Sequence, residues 1–120
     1  MKQPHVILRK WTGRIKTAER QRYVDYVLET GAGGFDATPG NLGYQILLRD
    51  LGDGSTVTTL SWWSSMDAIR AFAGPEPEIA RYYPEDDHFL LQRPRHVEHH
   101  TVMAGRIGAD LSQNWRMLDR

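Results

Sequence analysis

The chain has 120 residues, of which 40% are apolar and 25% charged, a composition typical of one globular domain. Lysine plus arginine equals aspartate plus glutamate at 15 each, so no net basic field exists to attract nucleic acid or anionic lipid. Cysteine is absent, which excludes disulfides, thiolate metal sites, iron–sulfur clusters and a cysteine nucleophile.

The first apolar run, Val6-Ile7-Leu8, is too short for the core of a secretion signal. No stretch approaches the roughly 18 apolar residues that a membrane-spanning helix needs. We therefore expect a cytoplasmic protein that has neither a membrane nor a nucleic acid as its partner.

The first two predicted elements are a strand and a helix. Residues Val6 to Ile15 alternate in polarity and are rich in β-branched side chains, which predicts a strand. One face of this strand would present Ile7, Arg9, Trp11 and Ile15. Helical spacing of apolar residues predicts a helix over about 17 to 30, with Thr17 as the N-cap and Gly31 as the stop.

A loop and a hairpin are predicted next. The glycine-rich segment from Gly31 to Gly43 reads as a loop, and Pro39-Gly40 suits the centre of a type II turn. Tyr44 to Asp50 and Thr56 to Trp63 alternate as strands, joined by a glycine-containing hairpin turn.

The last third of the chain carries weaker patterns. A short helix is predicted from about Ser65 to Phe72, a further helical turn from Pro77 to Tyr83, and a solvated acidic loop that contains Asp86 and Asp87. Arg95 to Met103 reads as the fourth strand. We expect one domain over residues 1–103, followed by a tail or short amphipathic helix over 104–120 that includes Leu111, Trp115 and Leu118.

The element order is β-α-β-β-α-β, which predicts an α+β, ferredoxin-like antiparallel sheet with its helices on one face. The other face would then be uncovered, and its cover is not encoded in the chain. A second copy of the chain is the simplest cover, so a homodimer is expected, in the arrangement of a dimeric α+β barrel.

Four segments carry a family resemblance: Arg9-x-Trp11-x-Gly13-Arg14, Pro39-Gly40-Asn41, Leu60 to Gly74 and Val97-Glu98-His99. They resemble the antibiotic-biosynthesis-monooxygenase group of small bacterial proteins, and the run from Ser61 to Gly74 is the most specific part. The resemblance implies a dimeric α+β barrel with a pocket between sheet and helices in each subunit. Characterised members oxidise polycyclic phenols to quinones with oxygen and without metal or flavin, degrade haem, or act on quinols.

A cofactor-free oxygenase needs aromatic walls, a cation or donor near the substrate oxygen, and a group that takes a proton. We expect Trp63, Arg9 and His99 to be catalytic, and Trp63 matches a recurring tryptophan of the family. The expected substrate-binding residues are Trp11, Trp62, Phe72, Tyr82 and Tyr83. The competing interpretation places the tryptophans and His99 in the core or dimer interface, and pairs Arg9 with Glu98 or another acid.

Neither a metal nor another cofactor is expected. His99 and His100 point to opposite faces of a strand, and His96 lies about 13 Å along it from His100, so one strand cannot gather them round an ion. For haem degradation, the family's members use a strand-one asparagine, a tryptophan and a helical histidine, and only Trp63 matches.

Three functions therefore compete. The first is a cofactor-independent monooxygenase that acts on an aromatic or polyketide-type small molecule. The second is a homodimer that binds a small ligand without catalysis, and the third is a purely structural homodimer. Haem degradation is the least favoured variant of the enzyme hypothesis.

Overall fold

The computed structural model describes residues 5–116, which form one antiparallel sheet with helices packed against it. The strands are β1 (Ile7–Ile15), β2 (Asn41–Asp50), β3 (Ser55–Trp63), β4 (Leu90–Gln92) and β5 (Glu98–Thr101). The α-helices are α1 (Arg20–Glu29), α2 (Gly31–Ala37) and α3 (Met66–Ala73), and 3₁₀ helices cover Thr17–Glu19, Pro84–His88 and Ala109–Leu111.

The sheet has the order β2-β3-β1-β4, with β5 also paired to β1. β1 pairs with β3 along its whole length, from Ile7 opposite Trp63 to Ile15 opposite Ser55. Its other edge is shared, because β4 pairs near Ile15 and β5 pairs near Ile7. The predicted α+β, ferredoxin-like class is confirmed, with the fourth strand divided into two short pieces.

The predicted fourth strand, Arg95 to Met103, was too long, since regular pairing covers only Glu98–Thr101. The other piece, Leu90–Gln92, lies in a segment that the sequence suggested was an apolar plug. Pro94 lies between the two pieces and has no amide hydrogen to donate to a ladder. The register of β1 with β4 also shifts between Arg14 and Ile15, so one continuous ladder cannot form.

The segment predicted as a glycine-rich loop contains the helix α2. Ala32 and Phe35 are buried in the core, and this packing outweighs the low helix propensity of the glycines. The turn that follows was predicted correctly. Asn41 donates its amide hydrogen to the Thr38 carbonyl over 3.2 Å, and Gly40 has the positive φ of 93° that a type II turn requires.

The helical turn predicted from Pro77 to Tyr83 was wrong. Ile79 instead forms an isolated bridge with His96, and the Ala80 amide donates to the Arg95 carbonyl over 2.8 Å. The Ile79 amide closes a single turn by donating to the Glu76 carbonyl over 3.0 Å, and beyond it backbone partners from the approach to β5 replace the local bonds that a helix would make. Residues 80–83 have no regular structure as they run towards the sheet, and this path brings Arg81 to Tyr83 to the cavity described below.

Two apolar clusters lie between the sheet and the helices. The first comprises Ile7, Ala32, Phe35, Trp63, Ile69 and Phe72. The second comprises Ile15, Tyr23, Tyr26, Val27 and Val57. Both take their sheet residues from the face that carries Ile7 and Ile15, as the alternation in β1 predicted. The Ser65 side chain caps α3 by accepting from the Ala68 amide over 3.0 Å.

The opposite face of the sheet is not covered by a helix among residues 5–116. Leu8, Leu47 and Leu60 lie on this face beside a shallow open depression, which is bordered by Val102 and Met103. None of the helices in the described residues is long and apolar enough to cross a membrane.

Between β5 and residue 116 the chain forms only the short 3₁₀ helix of Ala109–Leu111, and Leu111 and Trp115 are exposed. Arg116 pairs with Asp25 of α1. Leu118, expected on an amphipathic helix, lies outside the described residues, and the division at residue 103 stays a prediction.

Candidate functional site

A cavity of about 80 Å³ lies between the helix-covered face of the sheet and the helices, and it is open to solvent on one side. The sheet provides Arg9, Trp11 and Thr59. The helices and their ends provide Tyr23, Tyr26, Val27, Thr30, Gly31, Phe35 and Phe72, while the segment before and within the 3₁₀ helix of Pro84–His88 provides Arg81, Tyr82, Tyr83 and Asp86. Aromatic rings therefore dominate the lining, with three charged residues among them.

Arg9 is the buried cation of the cavity, with 5% of its surface exposed. Its guanidinium donates to the backbone carbonyls of Pro77 and Ile79 and to the His99 ring. The alternative pairing with Glu98 is not formed, because Glu98 lies on the opposite face and pairs with His100 over 2.9 Å. Within residues 5–116 the Arg9 guanidinium has no carboxylate partner, and its burial lowers its pKa to about 10.

His99 contacts Arg9 and does not line the cavity. Its Nε2 lies 3.0 Å from Nη1 of Arg9, and a guanidinium can only donate, so Nε2 accepts and the ring is neutral with its proton on Nδ1. Burial, followed by the charge of Arg9, lowers the pKa of His99 below its usual range. Because Nε2 is already engaged, His99 is better placed to orient Arg9 than to take a proton from a ligand.

Asp86 was expected in a solvated loop, but the structure places it in the cavity wall with 5% exposure. Its carboxylate accepts from the Tyr83 amide over 2.6 Å, which is a capping contact. Burial is the main reason that the pKa of Asp86 is raised. A buried carboxyl with a raised pKa is a stronger proton acceptor than an exposed one, so Asp86 can perform acid–base chemistry.

Two tyrosines of α1 lie beside Asp86. Burial and then the Asp86 charge raise the pKa of Tyr26 to about 12, and the same two causes, in the same order, raise that of Tyr23. The Tyr26 hydroxyl is buried beside the Asp86 carboxylate, but it has no hydrogen bond of normal geometry within residues 5–116. Since a buried hydroxyl normally finds a partner, this group is available to a ligand in the cavity.

The remaining wall is formed by aromatic residues that are hydrogen-bonded to one another or covered by a guanidinium. Trp11 donates from Nε1 to the Tyr82 hydroxyl over 3.1 Å, and that hydroxyl donates to the Pro94 carbonyl. The Arg81 guanidinium lies over two rings, 5.1 Å from the centre of Phe72 and 5.2 Å from that of Tyr83. Arg81 is exposed, so it forms part of the rim.

Of the eight residues predicted for the site, five line the cavity: Arg9, Trp11, Phe72, Tyr82 and Tyr83. Trp63 lies in the core with no exposed surface, donates from Nε1 to Ser61 Oγ over 2.8 Å, and packs 5.4 Å from the Phe72 ring. Trp62 pairs with Leu8 on the opposite face of the sheet. Trp63 thus supports the cavity wall from behind, and Trp62 lies away from it.

Sequence reasoning missed Tyr23, Tyr26, Arg81 and Asp86 as site residues. The sequence does contain a signal for Tyr23 and Tyr26. They lie three residues apart on a buried helix face, and buried tyrosine hydroxyls need hydrogen-bond partners. The positions of Arg81 and Asp86 depend on the extended path of residues 80–83, for which the local pattern gave the wrong structure.

The order of elements and the sheet agree with a match to a family model along the chain. Residues 7–76 match the family model described as antibiotic biosynthesis monooxygenase, which covers more than half of the chain. The chain belongs to the antibiotic biosynthesis monooxygenase family. Comparison with curated protein sequences gives no match.

Solved structures confirm the fold of this family member. A NIPSNAP family protein from Agrobacterium tumefaciens is 20% identical, with coverage of 90% of this chain and 93% of that one at a TM-score of 0.56. A heme-degrading protein from Mycobacterium tuberculosis is 17% identical, with 88% and 100% coverage and a TM-score of 0.53. SnoaB, a cofactor-independent oxygenase from Streptomyces nogalater, is 19% identical, with 88% and 97% coverage and a TM-score of 0.50. Identities this low establish the fold alone.

Proposed function

We propose that this member of the antibiotic biosynthesis monooxygenase family is a cofactor-independent monooxygenase that oxidises a small aromatic molecule in the cavity beside Arg9. The observation that carries the proposal is a buried guanidinium without a carboxylate partner among residues 5–116, set in a wall of aromatic rings. Such a wall holds a flat ring, and the cation stabilises negative charge on an oxygen.

The reaction requires no electron donor besides its substrate. A phenol with a hydrogen-bearing ring carbon para to its hydroxyl loses both hydrogens as it becomes a quinone. One atom of O₂ becomes the new carbonyl oxygen and the other leaves as water, so the substrate supplies all the electrons. The protein has to favour the phenolate, stabilise negative charge on the reduced oxygen, and receive a proton.

Asp86 is the proposed proton acceptor, because its carboxyl lines the cavity and His99 does not. Arg9 and Arg81 would stabilise the phenolate that is formed. Trp11, Phe72, Tyr82 and Tyr83 would hold the ring, while His99 would keep Arg9 in place through its neutral Nε2. Trp63 would act through packing against Phe72 and not through contact with the substrate.

The cavity volume sets a condition on this proposal. An engineered cavity of about 150 Å³ in a protein core binds benzene, whereas this one measures about 80 Å³. An aromatic substrate therefore requires the rim to move outward, and Arg81, an exposed residue, belongs to that rim. We expect Arg81 and Tyr82 to shift when the substrate binds.

We also propose that two copies cover each other's open sheet face. Leu8, Leu47 and Leu60 on that face have no helix over them within residues 5–116. Pairing two such faces would bury this apolar surface in a closed, two-fold assembly.

An oxygen electrode tests the proposed reaction directly. Purified protein is first screened by thermal shift against anthrones, polycyclic phenols, quinols and haem, since a ligand at about 100 times its Kd adds about 2.7 kcal/mol of stability. Oxygen uptake is then followed with each binder, for the wild-type chain and for Asp86→Asn, with the exposed Arg22→Met as a control. We expect uptake that Asp86→Asn lowers at least about 100-fold and Arg22→Met leaves unchanged.

The main competing function is ligand binding without catalysis. It predicts a thermal shift with one chemical class and no oxygen uptake above the rate without protein. The haem-degrading alternative predicts a shift with haem and release of iron from it in the presence of a reductant. Either result would contradict the oxygenase proposal.

A further inference from the structure

The cavity contains more positive than negative charge. Two guanidiniums, those of Arg9 and Arg81, line it, and the carboxyl of Asp86 is the acid in the same wall. The Asp86 carboxylate is already engaged by the backbone amide of Tyr83 at 2.6 Å. The lining therefore carries two positive charges and one negative charge, so a ligand that enters the cavity meets a net positive charge.

Arg9 is the more deeply buried of the two guanidinium-bearing residues. A buried charge is costly unless an opposite charge or several hydrogen bonds compensate it. Three hydrogen bonds hold the guanidinium, to two carbonyls and to a neutral ring nitrogen, and none of these partners carries a negative charge. A guanidinium has five N–H groups, so two of them have no partner among the described residues.

A second, independent observation is the hydroxyl of Tyr26, which lines the same cavity. Only 8% of this residue is exposed, and its hydroxyl has no hydrogen bond within residues 5–116. A hydroxyl can donate to an anionic oxygen, and hydrogen bonds to charged groups are stronger than those between neutral groups. Arg9 and Tyr26 thus both have donors that form no hydrogen bond of normal geometry within residues 5–116, with the Asp86 carboxylate as the acceptor beside Tyr26.

We infer that the cavity selects aromatic ligands that carry a carboxylate. The ring is held by Trp11, Phe72 and Tyr83, and the anionic oxygen accepts hydrogen bonds from Arg9 and Tyr26 while Arg81 closes the rim. This inference rests on the same cavity as the proposed function, and it names the charge of the ligand.

Three probes of nearly equal shape test the selection: benzoate, benzamide and benzamidinium, which carry a negative, a zero and a positive charge. Binding is measured by titration calorimetry at about pH 7, with protein and probe in the same low-salt buffer. A charge-assisted hydrogen bond contributes about 1.5–3 kcal/mol, so benzoate should bind about 10 to 150 times more tightly than benzamide. Benzamidinium should bind most weakly.

Two variants locate the binding. Arg81→Met should lower benzoate affinity at least about tenfold and change benzamide affinity by less than about twofold, while Arg22→Met should change neither. Tyr26→Phe removes the hydroxyl without exposing a new polar group, so the variant should remain folded and should bind benzoate more weakly. Arg9→Gln tests the role of the buried cation in benzoate binding, and a melting curve shows whether this variant is folded.

The outcomes separate this inference from the oxygenase proposal. Equal or tighter binding of benzamide, or no measurable binding of any probe at millimolar concentration, would overturn the selection for anions. Benzoate binding that Arg81→Met and Tyr26→Phe leave intact would place the anion elsewhere and also overturn it. Benzoate selection without oxygen uptake on any phenol would contradict the oxygenase proposal alone.

Discussion

Arg9 and His99 meet across the β1–β5 pair, where Nη1 of the arginine donates to Nε2 of the histidine over 3.0 Å. The contact requires a neutral imidazole, because an imidazolium has no acceptor nitrogen. Two residues that the sequence suggested as separate catalytic groups are therefore one unit, in which His99 orients Arg9.

This pair predicts a loss of stability in mild acid. The pKa of His99 is lowered in the folded state from its usual 6.5, chiefly by burial and next by Arg9. Its contribution to stability is therefore present above about pH 6.5 and is lost as the pH falls through the lowered pKa. His99→Gln keeps a neutral acceptor for Arg9 and cannot be protonated, so this variant should lose less stability in acid than the wild-type chain.

The free energy of unfolding, from urea titrations at pH about 7.5 and about 5, checks this expectation. His88→Gln, which changes an exposed histidine, serves as the control and should follow the wild-type chain. If the free energy of unfolding falls equally between the two pH values in His99→Gln and in the wild type, the Arg9–His99 pair does not sense pH.

Trp63→Phe is expected to reduce stability without changing the ligand preference. The substitution leaves a void in a fully buried position and removes the donor to Ser61 Oγ. Those two effects together should cost about 2–4 kcal/mol in the free energy of unfolding. Trp115→Phe, at a position 61% exposed, should cost less than about 0.5 kcal/mol. Urea titration measures both, and equal costs would contradict the core placement.

Gly13→Ala is expected to disturb the cavity wall from β1. An added Cβ would clash with the indole ring of Trp11, 2.6 Å from its Cζ2, so the indole that donates to Tyr82 would have to move. We expect a loss of about 1–3 kcal/mol and weaker binding of an aromatic ligand. The matched change is Gly33→Ala in α2, where an added Cβ meets no atom within 4 Å.

Gly33→Ala should raise stability by about 0.5–1 kcal/mol, because alanine restricts the unfolded chain and favours the helix. Thermal melts with and without ligand distinguish the two variants. If Gly13→Ala binds the ligand as the wild type does, the contact between Trp11 and Tyr82 is not needed for the cavity.

The proposed dimer predicts that a charge on the open face separates the subunits. Leu60→Glu places a carboxylate between Lys10 and Gln45 on that face, where an apolar contact between copies would bury it. Sedimentation velocity should show a dimer for the wild type and a monomer for Leu60→Glu. Leu51→Glu, in the β2–β3 hairpin and 41% exposed, should remain a dimer. A wild-type monomer at micromolar concentration would disprove the proposed pairing.

The features that the sequence determined by itself are those set by neighbouring residues. The alternation in β1 assigned Ile7, Arg9 and Ile15 to the covered face, because side-chain direction in a strand follows the sequence with period two. The turn at Pro39-Gly40 was likewise predictable, since it depends on a few adjacent backbone angles and hydrogen bonds.

Only the tertiary structure decided which of the many aromatic and charged residues meet at the cavity. Asp86 is buried and Arg81 reaches the rim because residues 78–80 pair with the chain before β5. The two paired segments are far enough apart in sequence that local patterns do not predict the contact. The glycine-rich segment is a helix because Phe35 gains burial against Trp63 and Phe72. Packing free energy summed over such distant contacts outweighs local propensity, and the site is therefore a property of the fold.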